Sequence, residues 1–486
     1  MSSHDFGGIA VLGLVPAETQ GPRPRSAMTR RILQTLLASV ALIAGGAAPA
    51  LAATSVSGAH GFAAGVVVVK FRGQRPGRAL PLAPGASVRE AAAALGSDPR
   101  VAYAAPDYIA TASAAPEGVE PLDPDDPGTL ADSPVPGLPG DWALKQWNFL
   151  SREGPATPRL PTSPGGIDVV TAWRHLLDAG RPGGEGVTVA VLDTGVAYRS
   201  FKRSFRRSPD FTSSQFVPGY DFVGHDRLPL DENGHGTHVA GTIGERTDNG
   251  VGLTGIAYGA KLMPVRVLDR HGRGDSVDIV KGIRFAVAHG ADVINMSFNF
   301  GCRKRVPIDD EALRAAYAKG VVTVASAGNL GSENCVSEPA TGPHVIGVGG
   351  TTEGGCLGSY SLAGNAIDLV APGGGTPRRN CPSVSARPIY QVTLQPNSTD
   401  SFTIPLNFVG TSMAAAHVSG VAALVLASGT LAAGLSPRKR VDAVRRRLRR
   451  TAHSLGLPAT RQGAGLIDAG LATQPLPQAP LRGARR

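Results

Sequence analysis

Close Cys-x-x-Cys pairs are missing from this chain, and its four cysteines, Cys302, Cys335, Cys356 and Cys381, stand too far apart for the zinc sites built on such pairs. No glycine-rich dinucleotide loop precedes the apolar run that ends at Asp193, which argues against a ribose-binding aspartate there. His235 and His238 lie three apart on a predicted helix without the glutamate that a zinc protease places between its histidines. Internal repeats, a second catalytic domain and a C-terminal membrane segment are not found either.

What is there reads as globular: 486 residues with 42% hydrophobic and 18% charged content, enough for one large core and one small extra module. The net charge of +10 owes much to the arginine-rich run 437–450, a pattern that also suits nucleic acid. Val441, Val444 and Leu448 recur in it at spacings of three and four, so an amphipathic surface helix with solvated arginines is the better reading, and no nucleic-acid partner is expected.

Arg30 and Arg31 precede an uncharged stretch from Ile32 to Ala44, and Ala50-Leu51-Ala52 supplies the small residues a signal peptidase reads. Segment 28–52 is therefore expected to be a signal peptide, with Met28 a candidate translation start, because 1–27 has neither periodicity nor motif. An uncleaved membrane anchor is the alternative, since the uncharged stretch runs on to Ser57; Gly45, Gly46 and Pro49 favour cleavage. Export suits an even number of cysteines. Of the three possible pairings, the two sequence-local ones are expected, Cys302 with Cys335 and Cys356 with Cys381.

Beyond the signal, 65–72 reads as a strand and Ser87 to Glu90 opens an alanine-rich helix that stops at Gly96. Two short strands, 101–104 and 107–110, are expected on either side of Pro106, so residues 60–113 form a small α+β module. Segment 114–140 is rich in Pro, Asp and Gly and reads as an exposed linker. Strand-like runs at 187–192, 260–268, 293–296, 321–325 and 345–348 then alternate with helical stretches, which predicts an α/β fold, a parallel sheet with helices on both faces. Ser412 to Ala427 is apolar nearly all round and is predicted to be a buried central helix; the end of the chain, 472–486, is expected to fray.

Three motifs carry the chemistry. Asp193-Thr194-Gly195 ends a predicted strand, His235-Gly236-Thr237-His238 opens a helix, and Gly410-Thr411-Ser412 opens the buried one. A serine hydroxyl needs a base to attack at neutral pH, and a base of this kind needs a carboxylate on its far nitrogen. The order Asp, His, Ser and these contexts resemble the subtilisin family of serine proteases (peptidase S8) over residues 141–471.

That resemblance implies a subtilisin-like three-layer fold and a serine-type endopeptidase with Asp193, His235 and Ser412 as its triad. It makes 60–113 a shortened inhibitory propeptide and 114–140 the place where the precursor is cut. Ala325-Ser326-Ala327-Gly328-Asn329 matches the oxyanion segment, with Asn329 as donor and Ala327 and Gly328 beside the substrate. Gly272, Arg273 and Gly274 on one side and Ser297, Phe298 and Asn299 on the other would wall an extended substrate; Phe298-Asn299-Phe300 departs from the Leu-Gly-Gly common in the family. Segment 247–252 resembles a calcium loop, with Asp210 and Asn249 as ligands of a structural Ca2+. Ala416 replaces a usual proline, and 376–409 carries an insertion expected to form a hairpin. The expected partners are protein or peptide substrates and the chain's own propeptide, and the expected state is a secreted monomer. The rival reading is a catalytically silent peptide-binding homologue that kept the fold.

Overall fold

The computed structural model describes residues 62–73, 77–112, 142–154, 160–247, 249, 251–301, 306–383 and 385–475. The expected signal segment, the linker, Cys302 and most of the C-terminal tail lie outside the described residues.

The N-terminal module is built on period-two alternation. Strand β1 (Phe62–Phe71) pairs antiparallel with β2 (Arg78–Pro81) on one side. Helix α1 (Val88–Gly96) starts where Ser87 Oγ accepts from Glu90 N, and β3 (Val101–Ala112) follows. Val67 and Val69 point to α1 and join Val88, Ala91, Leu95 and Val101 in a small core. Val68 points the other way, into a core shared with the rest of the protein. Where two strands were expected, β3 is one. Pro106 sits opposite Val67, next to the register shift between Phe62 and Val67, and an irregularity of the ladder is where a residue without an N–H is tolerated.

The large body follows. Helix α2 (Val169–Asp178) leads to β4 (Thr188–Asp193) and β5 (Tyr220–Asp221), then α3 (His235–Gly244), β6 (Lys261–Arg266) and β7 (Arg273–Asp275). Next come α4 (Ser276–Ala288), β8 (Val293–Met296), β9 (Phe298–Asn299), α5 (Pro307–Ala318), β10 (Val322–Ser326), β11 (Val345–Thr351) and β12 (Leu369–Pro372). The two-residue strands β13 (Thr393–Leu394) and β14 (Phe402–Thr403) precede α6 (Thr411–Ala427) and α7 (Pro437–Arg450).

Seven strands form one parallel sheet in the order β12-β11-β10-β8-β4-β6-β5. Alternate residues serve opposite faces: Val189 and Val191 join α3 and α6 in one core, while Ala190 and Leu192 join α4 and α5 in the other. Helix α6 is buried along almost its whole length, as its sequence predicts. The sheet grows outward from β4 in both directions, to β6 on one side and β8 on the other. That divergence opens a crevice at the carboxyl ends of β4 and β8.

Helix α7 buries Val441, Val444 and Leu448, and its arginines do more than meet solvent. Arg445 and Arg449 both pair with the buried Asp368, and Arg440 pairs with Asp292. Cys356 is bonded to Cys381; Cys335 is disulfide-bonded too, and its expected partner Cys302 lies outside the described residues. Among the described residues of the inserted segment, the hairpin pairs Thr393–Leu394 with Phe402–Thr403 and is shorter than its sequence suggests. The chain still forms a helical turn at Ala469–Thr473. No helix among the described residues is long and apolar enough to cross a membrane.

Candidate active site

Asp193 is the last residue of β4 and is fully buried. Its Oδ1 accepts from Thr194 N at 2.8 Å and from His235 Nδ1 at 2.7 Å. His235 is the first residue of α3 and follows Gly234, whose φ of 99° suits glycine. Helix and strand can meet this closely because residue 236 is also glycine; a Cβ there would lie 2.1 Å from Gly195 O.

A second aspartate locks the pair in place. Asp231 Oδ1 accepts from Thr194 Oγ1, Asn233 N and Gly234 N, and its Oδ2 from Thr237 N and Oγ1. Thr194 Oγ1 in turn accepts from Gly236 N. Asp231 thus ties the end of β4 to the start of α3, so the orientation of His235 is fixed by a network beyond its own contacts. Burial acts to lower the His235 pKa, but the charge and hydrogen bond of Asp193 and the charge of Asp231 outweigh it and leave it raised. Its Nε2 has no hydrogen-bond partner among the described residues.

Ser412, in the first turn of α6, is bound to the segment after β8 in both directions. Its Oγ donates to Ser297 O at 2.9 Å, and Ser297 Oγ donates to Ser412 O at 2.9 Å. Asn295 Nδ2 donates to Ser297 Oγ and Ser419 Oγ to Asn295 Oδ1, so a buried polar chain registers α6 against the sheet. Asn329 follows β10. Its Oδ1 accepts from both Thr411 N and Thr411 Oγ1 at 2.9 Å, while its buried Nδ2 has no partner among the described residues. Thr411 Oγ1 also accepts from Gly328 N, and Ala327 N donates to Val348 O.

The two other histidines are held differently. His238 stacks on Phe408 at 4.2 Å and donates Nε2–H to Ile389 O; burial takes its pKa down to about 3. His417 donates Nδ1–H to Met413 O and accepts from Asn148 Nδ2, and burial lowers it to about 4. Both are neutral imidazoles that serve as packing and hydrogen-bonding groups.

Strands β7 and β9 form two walls that carry Arg273, Gly274, Phe298 and Asn299, with Gly272 at the turn before them and Ser297 between β8 and β9. The space between the walls is taken by β3 of the N-terminal module. Ile109, Ala110 and Thr111 pair antiparallel with Asp275, Gly274 and Arg273, and Thr111 and Ala112 with Asn299 and Phe298. The module is anchored by Asp107, whose Oδ1 accepts from Ser276 N and Ser276 Oγ at the start of α4.

Asp210 and Asn249 come together, but with each other. Asn249 Nδ2 donates to Asp210 Oδ1 at 2.8 Å, and Leu253 N donates to Oδ2 at 2.7 Å. Burial pushes Asp210 up to about 8, and burial together with Asp210 raises its fully buried neighbour Glu245. No group of three or more His, Cys, Asp or Glu side chains converges among the described residues, and Asp248 and Gly250 of the expected loop lie outside them.

Sequence reasoning missed Asp231, Thr411 and Phe408. Asp231 was detectable as a carboxylate just ahead of the Gly234-His235 helix start, and Thr411 as a hydroxyl beside Ser412; Phe408 carried no signal.

Comparison with known proteins bears on this geometry. Residues 184–465 match the model of the subtilase family, Peptidase_S8. Subtilisin DY of Bacillus licheniformis is 35% identical over 316 residues, 64% of this chain and 99% of that protein. Thermitase of Thermoactinomyces vulgaris is 34% identical over 257 residues, 52% of this chain and 79% of that one. A thermophilic serine proteinase from a Bacillus species is 38% identical over 247 residues, 51% of this chain; the chain spans only 54% of that relative's length. Among solved structures, a protease from Pseudoalteromonas arctica superposes with a TM-score of 0.53 at 32% identity, covering 64% of this chain and 94% of that one.

Proposed function

Since the chain belongs to the subtilase family, we propose that it is a secreted serine endopeptidase made as a precursor, with Asp193, His235 and Ser412 as its catalytic triad. The observation that carries this reading is the buried Asp193–His235 pair, 2.7 Å apart, whose far nitrogen Nε2 is left for a nucleophile.

Each group then has a task. His235 Nε2 takes the Ser412 proton as Oγ attacks the carbonyl carbon of an extended peptide, and Asp193 holds the tautomer and offsets the charge of the imidazolium. The oxygen that becomes negative is met by Asn329 Nδ2 and Ser412 N–H at the start of α6, where the helix dipole adds to the attraction. His235 returns the proton to the leaving amine, and water then releases the acyl group by the same steps in reverse order. These steps use protein groups only; Asp210 and Asn249 take no part.

Segments 28–52, 60–113 and 114–140 act in turn as export signal, propeptide and cleavable linker, and 141–471 as the protease of a monomeric enzyme acting on proteins or peptides. The antiparallel seat of β3 between β7 and β9 supports a propeptide that fills the cleft as a substrate would, held by main-chain pairing that any extended peptide can offer. Reaction with a serine-directed fluorophosphonate tests the assignment. The protein freed of its N-terminal module should be labelled once, at Ser412, and Ser412→Ala should not; labelling of neither, with no peptide cleaved, leaves a silent peptide-binding protein.

A further inference from the structure

The loop after Tyr198 folds into a small hairpin, in which Phe201 and Phe205 exchange backbone hydrogen bonds at 3.0 and 3.2 Å and Lys202 turns the chain at a φ of 51°. Lys202, Arg203, Arg206 and Arg207 are exposed on it, and none of the four enters an ion pair among the described residues. Asp400, in the inserted segment alongside, accepts from Ser398 and Ser401 instead. Helix α7 is different: Arg440, Arg445 and Arg449 are taken by Asp292 and Asp368, and Arg447 by the carbonyls of Leu471, Ala472 and Gln474. Four like charges on one short hairpin repel each other, and a partner of opposite sign relieves that repulsion.

The hairpin is fixed beside His235. At its root Ser208 N donates to Ala197 O at 2.8 Å, and Ala197 N donates to Thr237 Oγ1 at 2.9 Å in the first turn of α3. On its flank Arg206 N donates to Thr399 O and Thr399 Oγ1 to Ser204 O; the same inserted segment sends Thr393 Oγ1 to Gly234 O, just before His235. A chain leaving β3 at Ala112, the partner of Phe298, is delivered next to Ser297, whose carbonyl binds Ser412 Oγ. The chain delivered there is acidic: it carries Glu117, Glu120, Asp123, Asp125, Asp126 and Asp132, and no Lys, Arg or His occurs between Arg100 and Lys145. From Ala112 to Trp142 it can extend to about 90 Å, more than the width of a domain of this size, so reach is not limiting. We propose that the hairpin 199–207 is a docking site for the acidic linker 114–140, which it holds by charge and draws past Ser412. The part this plays in self-processing rests on the peptidase reading; the docking itself does not.

The first test uses uncleaved Ser412→Ala protein and needs no catalysis. Trypsin should cut slowly after the four hairpin cations at low salt, measured by mass against the cut after the exposed Lys319. Glu117→Gln, Glu120→Gln, Asp123→Asn, Asp125→Asn and Asp126→Asn together should quicken the hairpin cuts at least about fivefold, the scale of several exposed ion pairs acting together. About 1 M NaCl, where charges are screened beyond about 3 Å, should do the same. The second test exchanges charges in the active chain. Arg203→Glu with Arg206→Glu should slow self-processing by a similar factor, and Asp123→Arg with Asp125→Arg should restore it. Hairpin cutting that ignores the linker's charge, or a slowed variant that the reversed linker does not restore, overturns the proposal. Processing unchanged in the hairpin variant, with binding to phosphatidylglycerol vesicles lost, assigns the hairpin to a lipid surface and overturns it too. A chain that neither self-processes nor takes a fluorophosphonate, yet protects its hairpin, loses the peptidase reading and keeps the docking.

Discussion

Asn329 grips Thr411 with its side-chain oxygen, which receives both the backbone N–H and the hydroxyl of that residue at 2.9 Å, and the grip leaves its buried Nδ2 without a partner beside Ser412. An unpaired buried donor costs stability unless it has another use, and the use proposed here is the oxyanion. Replacing Asn329 by Asp keeps the acceptor for Thr411 and removes the donor. Asn329→Asp and Asn329→Ala should each lower kcat by about 10²–10³ with KM little changed, a magnitude carried over from subtilisin itself. A loss confined to KM would show that the amide binds substrate instead.

Activity should fall in acid as His235 gains a proton. Burial lowers its pKa, but Asp193 and Asp231 raise it further, so the proton is held to a pH above the ordinary histidine value. The acid limb of kcat/KM should therefore titrate above 6.5, the value of a histidine without such neighbours. Asp193→Asn should move that limb down and cost about 10⁴-fold in kcat through the wrong tautomer. A limb below 6.5 in the intact enzyme contradicts the electrostatic account.

Docking of the N-terminal module should weaken as pH rises. Burial, then the charge of Asp275, pushes Asp107 up to about 7, against its bonds from Ser276; Asp278 adds to the rise, and Asp309 on α5 is a further buried acid that feels Asp107. A carboxyl raised on folding contributes stability that is complete below its unfolded pKa, near 3.8, and is lost as pH climbs through about 7. Hydrogen exchange on uncleaved Ser412→Ala protein should show β1 and β3 losing protection from about pH 4 to about pH 7, the span between the unfolded and folded values, with little further loss above it. Asp107→Asn should flatten the loss, and an unchanged slope would place the titration elsewhere.

The bond between Cys356 and Cys381 closes a loop with a sequence separation of 25. Removing both cysteines should lower unfolding stability by about 3 kcal/mol, the entropy of an open loop of that length. Denaturant midpoints and m-values together would measure it, with the m-value rising as the opened unfolded chain exposes more surface.

Much of this was legible in the sequence because it rests on short, local rules. The runs that became β4, β8 and β10 are apolar because a parallel sheet is covered on both faces, and α6 declares its burial by lacking a polar side. The Asp193, His235 and Ser412 positions were readable from their motifs, while the contacts that orient them were not. Asp231, the Ser297–Ser412 exchange and the turn of Asn329 toward Thr411 join residues far apart in the chain, and no spacing encodes them. Pro106 misled because a proline usually ends a strand; here a register shift next to it absorbs the missing N–H. Asp210 and Asn249, expected as calcium ligands from the resemblance of 247–252 to a calcium loop, do come together, through a hydrogen bond that no spacing announces.

The central claim is that Ser412 is a working nucleophile that frees the body from its own N-terminal module. Intact-mass measurement of the protein beside Ser412→Ala, after equal incubation, tests it most directly. Only the protein with Ser412 should lose an N-terminal segment, by a cut within 114–140 that a fluorophosphonate blocks. Both proteins staying whole, or both being cut alike, would contradict it.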